Sequence, residues 1–230
     1  MKLSTANSER LVKEVQHTEK GVNPFHVVDV NEIIIGGSNV YRFSKRILDV
    51  ITSLVGLCLA SPILLLFILI IKLDSKGPAF FVQERDGLYG KKFNVYKLRS
   101  MVIDAEKNGA QWATVNDTRV TNVGKFIRKT RIDEIPQLFN VLKGDMSLIG
   151  PRPEREIFTE QFDKEILGFK QRLYVKPGVT GWAQVNGGYD ITPKDKYELD
   201  MDYIAKQGFK LDLIILLYTV RIVFTGTGAR

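Results

Sequence analysis

The sequence predicts an α+β fold: a mostly helical, monotopic membrane protein with a re-entrant N-terminal helix broken at Ser61-Pro62, a small β-hairpin and interfacial helices. Three observations support this prediction. A long apolar run contains a proline and has basic residues at both ends. Two short strand-like segments flank a turn-rich stretch. A shorter apolar segment near the C-terminal end has the length of an interfacial or core helix.

The long apolar run covers residues 47–71. At about 25 residues it is long enough to cross the hydrocarbon core of a bilayer as a helix. Hydropathy alone therefore favours one ordinary transmembrane span. Pro62 argues against a straight span, because proline removes a helical hydrogen bond and clashes with the preceding turn.

The flanks of this run also argue for a re-entrant course. Basic residues stand at both ends, so the positive-inside rule gives no clear direction across the membrane, but it is satisfied if both ends face the cytoplasm; they are Arg42, Lys45, Arg46, Lys72 and Lys76. Asp49 lies in the first turn of the run, where a carboxylate is costly unless Lys45 or Arg46 pairs with it. A helix that enters, breaks at Ser61-Pro62 and returns to the same face meets these conditions.

The second apolar segment, residues 211–224, is short for a membrane span. It is either a core helix or a helix in the membrane interface. Lys206, Lys210 and Arg221 favour the interface, because they would meet anionic headgroups. The predicted organisation is a polar N-terminal extension of unknown role (1–40), a re-entrant membrane helix (41–76), and a cytoplasmic catalytic domain with a C-terminal interfacial helix (77–230).

The charge balance limits the partners. The net charge is +7 and the pI is about 9.4, which favours nucleic acid, an anionic membrane surface or phosphate-bearing substrates. The sequence has no zinc-ligand spacing, helix-turn-helix signature or RNP signature, so we expect no nucleic-acid partner. Cys58 is the single cysteine, which excludes an intramolecular disulfide and indicates a reducing compartment.

The segment between the two apolar runs begins with a predicted hairpin. Residues 80–83 and 93–98 have strand-like composition and flank a stretch rich in glycine and aspartate. A dense group of basic residues follows at positions 124–131. Such a group is usually a solvated helix face, but this one stands directly before two acids.

Those acids are Asp133 and Glu134. Asp133 has the position of an N-cap, an apolar stripe follows it, and Gly144 ends the predicted helix. Ordinary helix capping is the more probable role on these residues alone. The functional alternative is an ionised carboxylate, flanked by Arg128 and Arg131, that meets a phosphate and a metal ion.

Two further motifs are unusual. Gly150-Pro151-Arg152-Pro153 holds an arginine between two prolines, which would present its guanidinium to a phosphate with little entropy to lose. A proline-rich turn with a surface arginine is equally compatible. Residues 176–188 form a predicted glycine-rich loop in which Trp182 could stack on a base or sugar and Gln184 could bond to it.

Asp200-Met201-Asp202 matches the Asp-x-Asp pattern of many metal-dependent nucleotide-sugar enzymes. Three-residue patterns often arise by chance. We expect this one to be helical and mostly structural.

Together these motifs resemble the bacterial sugar transferase family, the monotopic polyprenyl-phosphate phosphoglycosyltransferases that initiate exopolysaccharide and capsule synthesis. The resemblance runs from about residue 41 to about residue 224. It rests on motifs that occur in one order, namely the basic-flanked helix with Ser61-Pro62, Tyr96-Lys97-Leu98-Arg99-Ser100-Met101, Asp133-Glu134-Ile135-Pro136-Gln137-Leu138, residues 139–147, Gly150-Pro151-Arg152-Pro153 and residues 177–187.

The resemblance implies a catalytic domain on the cytoplasmic face of the bacterial cell membrane. It implies that Asp133 attacks the phosphate next to the sugar of a UDP-sugar, that UMP leaves, and that polyprenyl (undecaprenyl) phosphate then takes the phosphosugar. Mg²⁺, held by Asp133 and Glu134, would neutralise the diphosphate. The implied substrate-binding residues are Arg128, Arg152, Lys97, Trp182 and Gln184, with Asp200 and Arg131 as second-rank candidates.

Two other functions stay open at this point. One is a metal-dependent glycosyltransferase that uses Asp200 and Asp202 and releases UDP. The other is a membrane-tethered assembly protein in which Asp133 only caps a helix. Loose similarity to capsule initiators favours galactose or glucose 1-phosphate as the transferred group. Membrane lipids are expected partners, and the oligomeric state stays open, with a homo-oligomer as one option.

Overall fold

The computed structural model describes residues 34–107, 109, 117–187 and 191–225. Their helices are α1 (Asn39–Asp74), α2 (Asn122–Lys129), α3 (Gln137–Lys143), α4 (Glu156–Glu165), α5 (Trp182–Gly187), α6 (Pro193–Lys206) and α7 (Phe209–Thr225). Their strands are β1 (Phe80–Asp86), β2 (Lys92–Leu98), β3 (Ser147–Ile149) and β4 (Gly178–Thr180). The mostly helical α+β prediction is confirmed. Of the predicted extension 1–40, residues 1–33 lie outside the described residues.

Helix α1 continues without interruption through Ser61 and Pro62. Proline cannot donate to the carbonyl four residues earlier, which here belongs to Cys58. The Ser61 hydroxyl donates to that carbonyl instead, at 2.8 Å, so the acceptor stays satisfied. The predicted break in the hydrogen-bonded helix is therefore wrong, whereas the re-entrant course stays a prediction.

Most apolar side chains of α1 lie outside the protein core. The helix is long and apolar enough to cross a membrane, and only 6% of its most apolar 18-residue window is buried. Leu59, Leu65 and Leu73 are each more than two-thirds exposed. A face of this kind would be unstable in water, so it fits association with a lipid phase.

The N-terminal part of α1 is attached to the rest of the protein by polar contacts. The Lys45 ammonium donates to Asp212 Oδ2 at 2.7 Å. Asp49 is buried, and its Oδ1 accepts the backbone N–H of Leu148 at 3.0 Å. The predicted pairing of Asp49 with Lys45 or Arg46 is wrong, because a backbone donor from a distant strand satisfies this carboxylate. The sequence has no local signal for such a long-range contact.

The C-terminal end of α1 is held by Arg99, which follows β2. Its guanidinium donates to the carbonyls of Lys76 at 2.6 Å and Ser75 at 2.8 Å. A cation at a helix C-terminus is favoured by the helix dipole. Ile71 adds an apolar contact, since it packs in one buried cluster with Leu98 and Ile127. Both ends of α1 therefore contact the same globular part of the chain.

Two small sheets organise that globular part. β1 and β2 pair antiparallel from Phe80 opposite Leu98 to Asp86 opposite Lys92, which confirms the predicted hairpin. β3 and β4 pair in parallel, with Ser147 opposite Gly178. This second pair was not predicted, because strands of three residues are too short to show a sequence periodicity.

Helix α7 confirms the predicted C-terminal helix and extends it by a few residues at its start. Most of its apolar side chains are exposed, while Asp212 and Ile215 are buried. Asp212 accepts hydrogen bonds from the hydroxyls of Tyr41 at 2.8 Å and Tyr203 at 3.0 Å. These contacts attach α7 to α1, and its placement in the membrane interface stays a prediction.

Candidate active site

Asp133 and Glu134 lie in a short 3₁₀ turn, Ile132–Glu134, between α2 and α3. The preceding residue, Arg131, has a φ of 60°, in the left-handed region that non-glycine residues seldom adopt. Helix α3 starts at Gln137 with Pro136 at the cap position, so the predicted N-cap role of Asp133 is wrong. Strained backbone close to polar side chains, here two residues before Asp133, is often found at functional sites.

Glu134 is surrounded by cations. Its Oε1 accepts from the Lys97 ammonium at 2.9 Å and from Arg152 Nη2 at 2.6 Å. Burial alone would raise the pKa of Glu134, but the charges of Arg152 and Lys97 outweigh it and hold the pKa well below its usual value. Glu134 is therefore ionised at any physiological pH.

Asp133 has a different environment. It is 6% exposed, and its Oδ1 has no hydrogen-bond partner within the part of the chain that the structure describes. Burial, and then the charge of Glu134, raise the pKa of Asp133 to about 6, because Lys97, Arg128 and Arg152 offset them only in part. The side chain is thus ionised at neutral pH, at an energetic cost, with one buried oxygen that has no hydrogen-bond partner among the described residues.

Separate segments bring these groups together. Lys97 stands near the end of β2, the two acids stand between α2 and α3, and Arg152 follows β3. An apolar cluster of Val95, Val141 and Met146 joins β2 to α3 and the start of β3. The site is therefore built on packed elements rather than on a free loop.

Asn140 of α3 fixes the position of β2 relative to the acids, and the sequence analysis missed it. Its amide donates to the carbonyl of Asn94 at 2.6 Å, and its Oδ1 accepts the N–H of Tyr96 at 3.1 Å. Asn140 is fully buried. The available signal was a polar residue within the otherwise apolar stripe of α3, since a buried amide needs hydrogen-bond partners.

Arg152 is positioned through its backbone. Pro151 before it is buried. The carbonyl of Arg152 accepts Arg172 Nη2 at 2.9 Å, and Arg172 in turn contacts Asp200 Oδ2 at 2.5 and 3.0 Å. Asp200 therefore reaches the site only through Arg172, a residue that the sequence analysis missed.

The Asp-x-Asp motif does not form a pair of metal ligands. Asp200 is 1% exposed and occupied by Arg172, whereas Asp202 is half-exposed and pairs with Lys206. Both lie in α6, which confirms the prediction of a helical motif. Their different partners argue against the glycosyltransferase alternative.

The predicted glycine-rich loop is wrong as a loop, because residues 178–187 form β4 and α5. Its glycines allow close backbone packing. A Cβ on Gly178 would lie 2.1 Å from the nitrogen of Gly150, so the two parallel strands could not approach as they do. Gln184 donates to the carbonyl of Val179 at 2.9 Å and supports β4.

The predicted site residues thus fall into two groups. The first group consists of the two acids, Lys97 and Arg152, which are in contact or adjacent. Arg128 and Arg131 belong to it as well, because the charge of Arg128 acts on Asp133 and that of Arg131 acts on Glu134. Trp182 and Gln184 have no hydrogen bond or ion pair to either acid among the described residues. Their roles in base or sugar binding stay predictions, and Gly188 of the same motif lies outside the described residues.

The two acids fit a Mg²⁺ ion bound together with substrate. The described residues contain no group of three or more His, Cys, Asp or Glu that could hold a metal ion by themselves. Mg²⁺ commonly takes only one or two protein carboxylates and completes its shell with water and substrate phosphates. The buried, unpartnered Oδ1 of Asp133 is a suitable ligand of this kind.

Comparison with known proteins identifies the family. The family model described as bacterial sugar transferase matches residues 40–226. The chain belongs to the bacterial sugar transferase family. A protein of Aeromonas hydrophila named UDP-N-acetylgalactosamine-undecaprenyl-phosphate N-acetylgalactosaminephosphotransferase is 44% identical over 225 residues, which cover 95% of this chain and 53% of the relative.

Two more family members extend the comparison. A Bacillus subtilis (strain 168) protein, named putative undecaprenyl-phosphate N-acetylgalactosaminyl 1-phosphate transferase, is 60% identical over 58% of this chain and 74% of the relative. An Escherichia coli (strain K12) protein, named UDP-glucose:undecaprenyl-phosphate glucose-1-phosphate transferase, is 42% identical over 80% of this chain and 40% of the relative. The chain therefore spans about half of the Aeromonas relative and less of the Escherichia one.

Proposed function

We propose that this family member transfers a hexose or N-acetylhexosamine 1-phosphate from a UDP-sugar to polyprenyl phosphate and releases UMP. The observation that carries the proposal is the contrast between the two acids: Glu134 is neutralised by two cations, while Asp133 keeps a free, buried oxygen. A carboxylate of this kind is a nucleophile rather than a structural cap. The names of the three relatives support the same class of reaction.

The proposed reaction has two displacements. In the first, an oxygen of Asp133 forms a bond to the phosphorus next to the sugar, and the bond to the UMP oxygen breaks, so that UMP leaves with the electron pair. In the second, an oxygen of polyprenyl phosphate attacks the same phosphorus and returns the Asp133 carboxylate. Dividing one difficult transfer into two steps is the usual advantage of covalent catalysis.

The cations around the acids would stabilise this chemistry. Lys97 and Arg152 contact Glu134. In the proposed reaction they would also bind phosphate oxygens of the UDP-sugar next to the two acids. Arg128 adds a third positive charge, which already acts on Asp133. When bound to Asp133 and Glu134, Mg²⁺ would supply charge neutralisation of the diphosphate.

The donor sugar is a separate question from the reaction class. The two relatives at 44% and 60% identity have N-acetylgalactosamine in their names, while the one at 42% has glucose. A panel of UDP-N-acetylgalactosamine, UDP-N-acetylglucosamine, UDP-galactose and UDP-glucose, assayed with polyprenyl phosphate, would identify the donor by the UMP released.

The proposed mechanism predicts a first half-reaction that is independent of lipid. Protein with UDP-sugar and Mg²⁺ should release up to one equivalent of UMP, and radiolabelled UMP should exchange into UDP-sugar without polyprenyl phosphate. The phosphosugar should be found by mass spectrometry on the peptide that contains Asp133. Release of UDP would contradict the reaction class. UMP release that strictly needs lipid, without exchange or adduct, would keep the reaction and remove the covalent intermediate.

The proposed placement is monotopic, with the catalytic domain on the cytoplasmic face. Near the start of α1, Tyr41 and Lys45 contact that domain through Asp212. Further along, Gly56 lies next to Leu138 of the domain. After the end of α1, the carbonyl of Ser75 accepts a hydrogen bond from Arg99 of the domain. A helix crossing a bilayer could not keep its two ends against one polar domain. These contacts, together with the exposed apolar face, support the re-entrant course that we propose.

This placement predicts the same accessibility for both ends of α1. Single cysteines at Val40 and Lys76, which are both exposed, can be introduced in a Cys58→Ser background. An impermeant thiol reagent should label neither site in intact cells and both sites after permeabilisation, which also serves as the control. Labelling of only one site in intact cells would establish a full span and contradict the monotopic placement.

A further inference from the structure

One cavity in the described part of the chain is lined by neither of the two acids. Its volume is about 490 Å³, and it is formed by the turn of the β1–β2 hairpin, the C-terminal end of α3 and the segment before β4. Its lining includes Lys91, Lys92, Lys176 and Asp145, together with backbone of Gly87, Gly90 and Gly144. The proposed reaction uses none of these residues.

Two cations lie close together beside this cavity, although the charges of Asp49 and Asp145 also act on one of them, Lys176. The Lys176 ammonium has no hydrogen bond or ion pair among the described residues, although the side chain is half-buried. Arg46 donates only to neutral carbonyls, those of Val141 at 2.6 Å and Leu142 at 2.9 Å. Both cations adjoin Gly144, where a Cβ would lie 3.4 Å from Arg46 Nη2 and 3.7 Å from Lys176 Nζ. Burial, and then the charge of Arg46, lower the pKa of Lys176.

The other charges of the cavity do not cancel this excess. Asp145 is paired with Lys143 at 3.1 Å. Lys92 is shared between Asp86 and Glu156. Lys91 is exposed at the rim. The cavity thus presents Lys176 and Lys91 to an anion, and Arg46 adjoins it at Gly144.

The position of the cavity identifies the kind of anion. Arg46 is the last residue before the apolar run of α1, so the cavity lies where that helix would enter the lipid phase. Tyr89 on the rim is 72% exposed and its ring contacts that of Tyr174, which is 44% exposed. Exposed tyrosines are enriched at the level of lipid headgroups, and clustered basic side chains there attract anionic lipids.

We propose that this cavity binds the phosphodiester headgroup of an anionic membrane lipid, with Lys176 and Lys91 as the contacts to the phosphate and Arg46 adding positive charge beside them. Neither of the two acids lines it. The seven residues of α3, at about 1.5 Å per residue, separate it from the acids by roughly 10 Å. The inference therefore does not depend on the proposed reaction.

The test compares lipid binding by the whole protein and a double variant, Lys91→Gln with Lys176→Gln. Arg46 is left in place, because it also holds α3. The matched control is Lys164→Gln with Lys194→Gln, which removes the same charge from exposed positions. Each protein, purified in a neutral detergent, is titrated with short-chain phosphatidylglycerol, short-chain phosphatidylcholine or inorganic phosphate, and bound molecules are counted by native mass spectrometry. Melting temperatures verify that the variants are folded.

We expect one tightly bound phosphatidylglycerol, weakened at least about tenfold in the double variant, since each lysine near a lipid surface contributes about 1 kcal/mol, roughly fivefold. The control should bind within about twofold of the unchanged protein. Equal phosphatidylglycerol binding by the double variant and the unchanged protein would overturn the site. Equal binding of phosphatidylcholine would overturn the preference for an anionic headgroup. Inorganic phosphate binding as tightly as the lipid would assign the cavity to a free phosphate.

Discussion

Replacement of Asp133 by Asn is expected to lower UMP release at least about a thousandfold, because the amide cannot act as the nucleophile. The same change should leave the melting temperature at pH 7–8 unchanged or higher. Asp133 caps no helix, and its Oδ1 has no partner among the described residues, so no hydrogen bond to that atom is lost. Loss of activity with retained stability is a pattern expected of a functional residue.

The stability effect should depend on pH in a defined direction. The pKa of Asp133 is raised from its ordinary 3.8 to about 6 in the folded protein. The unfolded chain therefore loses its proton first, and this carboxyl makes the folded state less stable as pH rises from about 4 to about 6. The Asn variant lacks this penalty. Its melting temperature relative to the unchanged protein should rise between pH 4 and pH 7.

The activity of the unchanged protein should depend on the protonation state of the Asp133 carboxyl. The kcat/KM for UMP release should fall as pH decreases through about 6, because the nucleophile becomes protonated. Asp104→Asn, at an exposed position, is the control and should change neither activity nor stability. An Asp133→Asn protein with substantial activity, after mass spectrometry has excluded deamidation, would contradict the nucleophile assignment.

Asp200→Asn is expected to lower the free energy of unfolding by about 3 kcal/mol, since it removes one partner of a buried ion pair. Asp200 and Arg172 have side chains that are each 2% exposed, 2.5 Å apart at their closest atoms. The variant would leave the Arg172 charge buried without its main partner. For a chain of this size we expect the melting temperature to drop by roughly 6–12 °C.

The matched control is Asp202→Asn in the same motif. Asp202 pairs with Lys206 on the surface, where an ion pair contributes at most about 1 kcal/mol. Asp202→Asn should therefore be nearly as stable and as active as the unchanged protein, with the same Mg²⁺ dependence. If both variants lost activity and required more Mg²⁺ while staying folded, Asp200 and Asp202 would be metal ligands, and the glycosyltransferase alternative would return.

The position of Arg152 adds a specific expectation for the Asp200 variant. Arg172 also donates to the carbonyl of Arg152, whose guanidinium contacts Glu134. Activity measured well below the melting temperature of the Asp200→Asn protein should therefore still be lower than that of the unchanged protein. An unstable variant with full activity at low temperature would show that Arg152 does not need this support.

Local patterns predicted several elements correctly. The strand-like segments before and after Gly87 became β1 and β2, and Gly144 ends α3 with a φ of 92°. These elements depend on neighbours in sequence, such as turn residues and a glycine that can adopt a left-handed conformation. Local patterns failed where the deciding contact is distant in sequence.

Two failures have this cause, and one is local. Asp133 resembles an N-cap, but it lies in a 3₁₀ turn after the left-handed Arg131, where Lys97 and Arg152 from distant segments bind the neighbouring Glu134. Pro62 is the local case: it resembles a helix breaker, but the Ser61 hydroxyl next to it bonds to the freed carbonyl of Cys58. Asp49 resembles a carboxylate in need of a neighbouring lysine, but the N–H of Leu148 satisfies it.

The sequence by itself determined the apolar helix with basic ends, the hairpin, and the order of motifs that defines the family. These are properties of residue type and spacing, which need no knowledge of contacts. Only the tertiary structure decided which carboxylate is paired with cations and which is left without a partner. Asp133 and Glu134 are adjacent in the chain, and their difference arises because Lys97 and Arg152, from two other segments, both reach Glu134 while burial leaves Asp133 with an unpartnered oxygen.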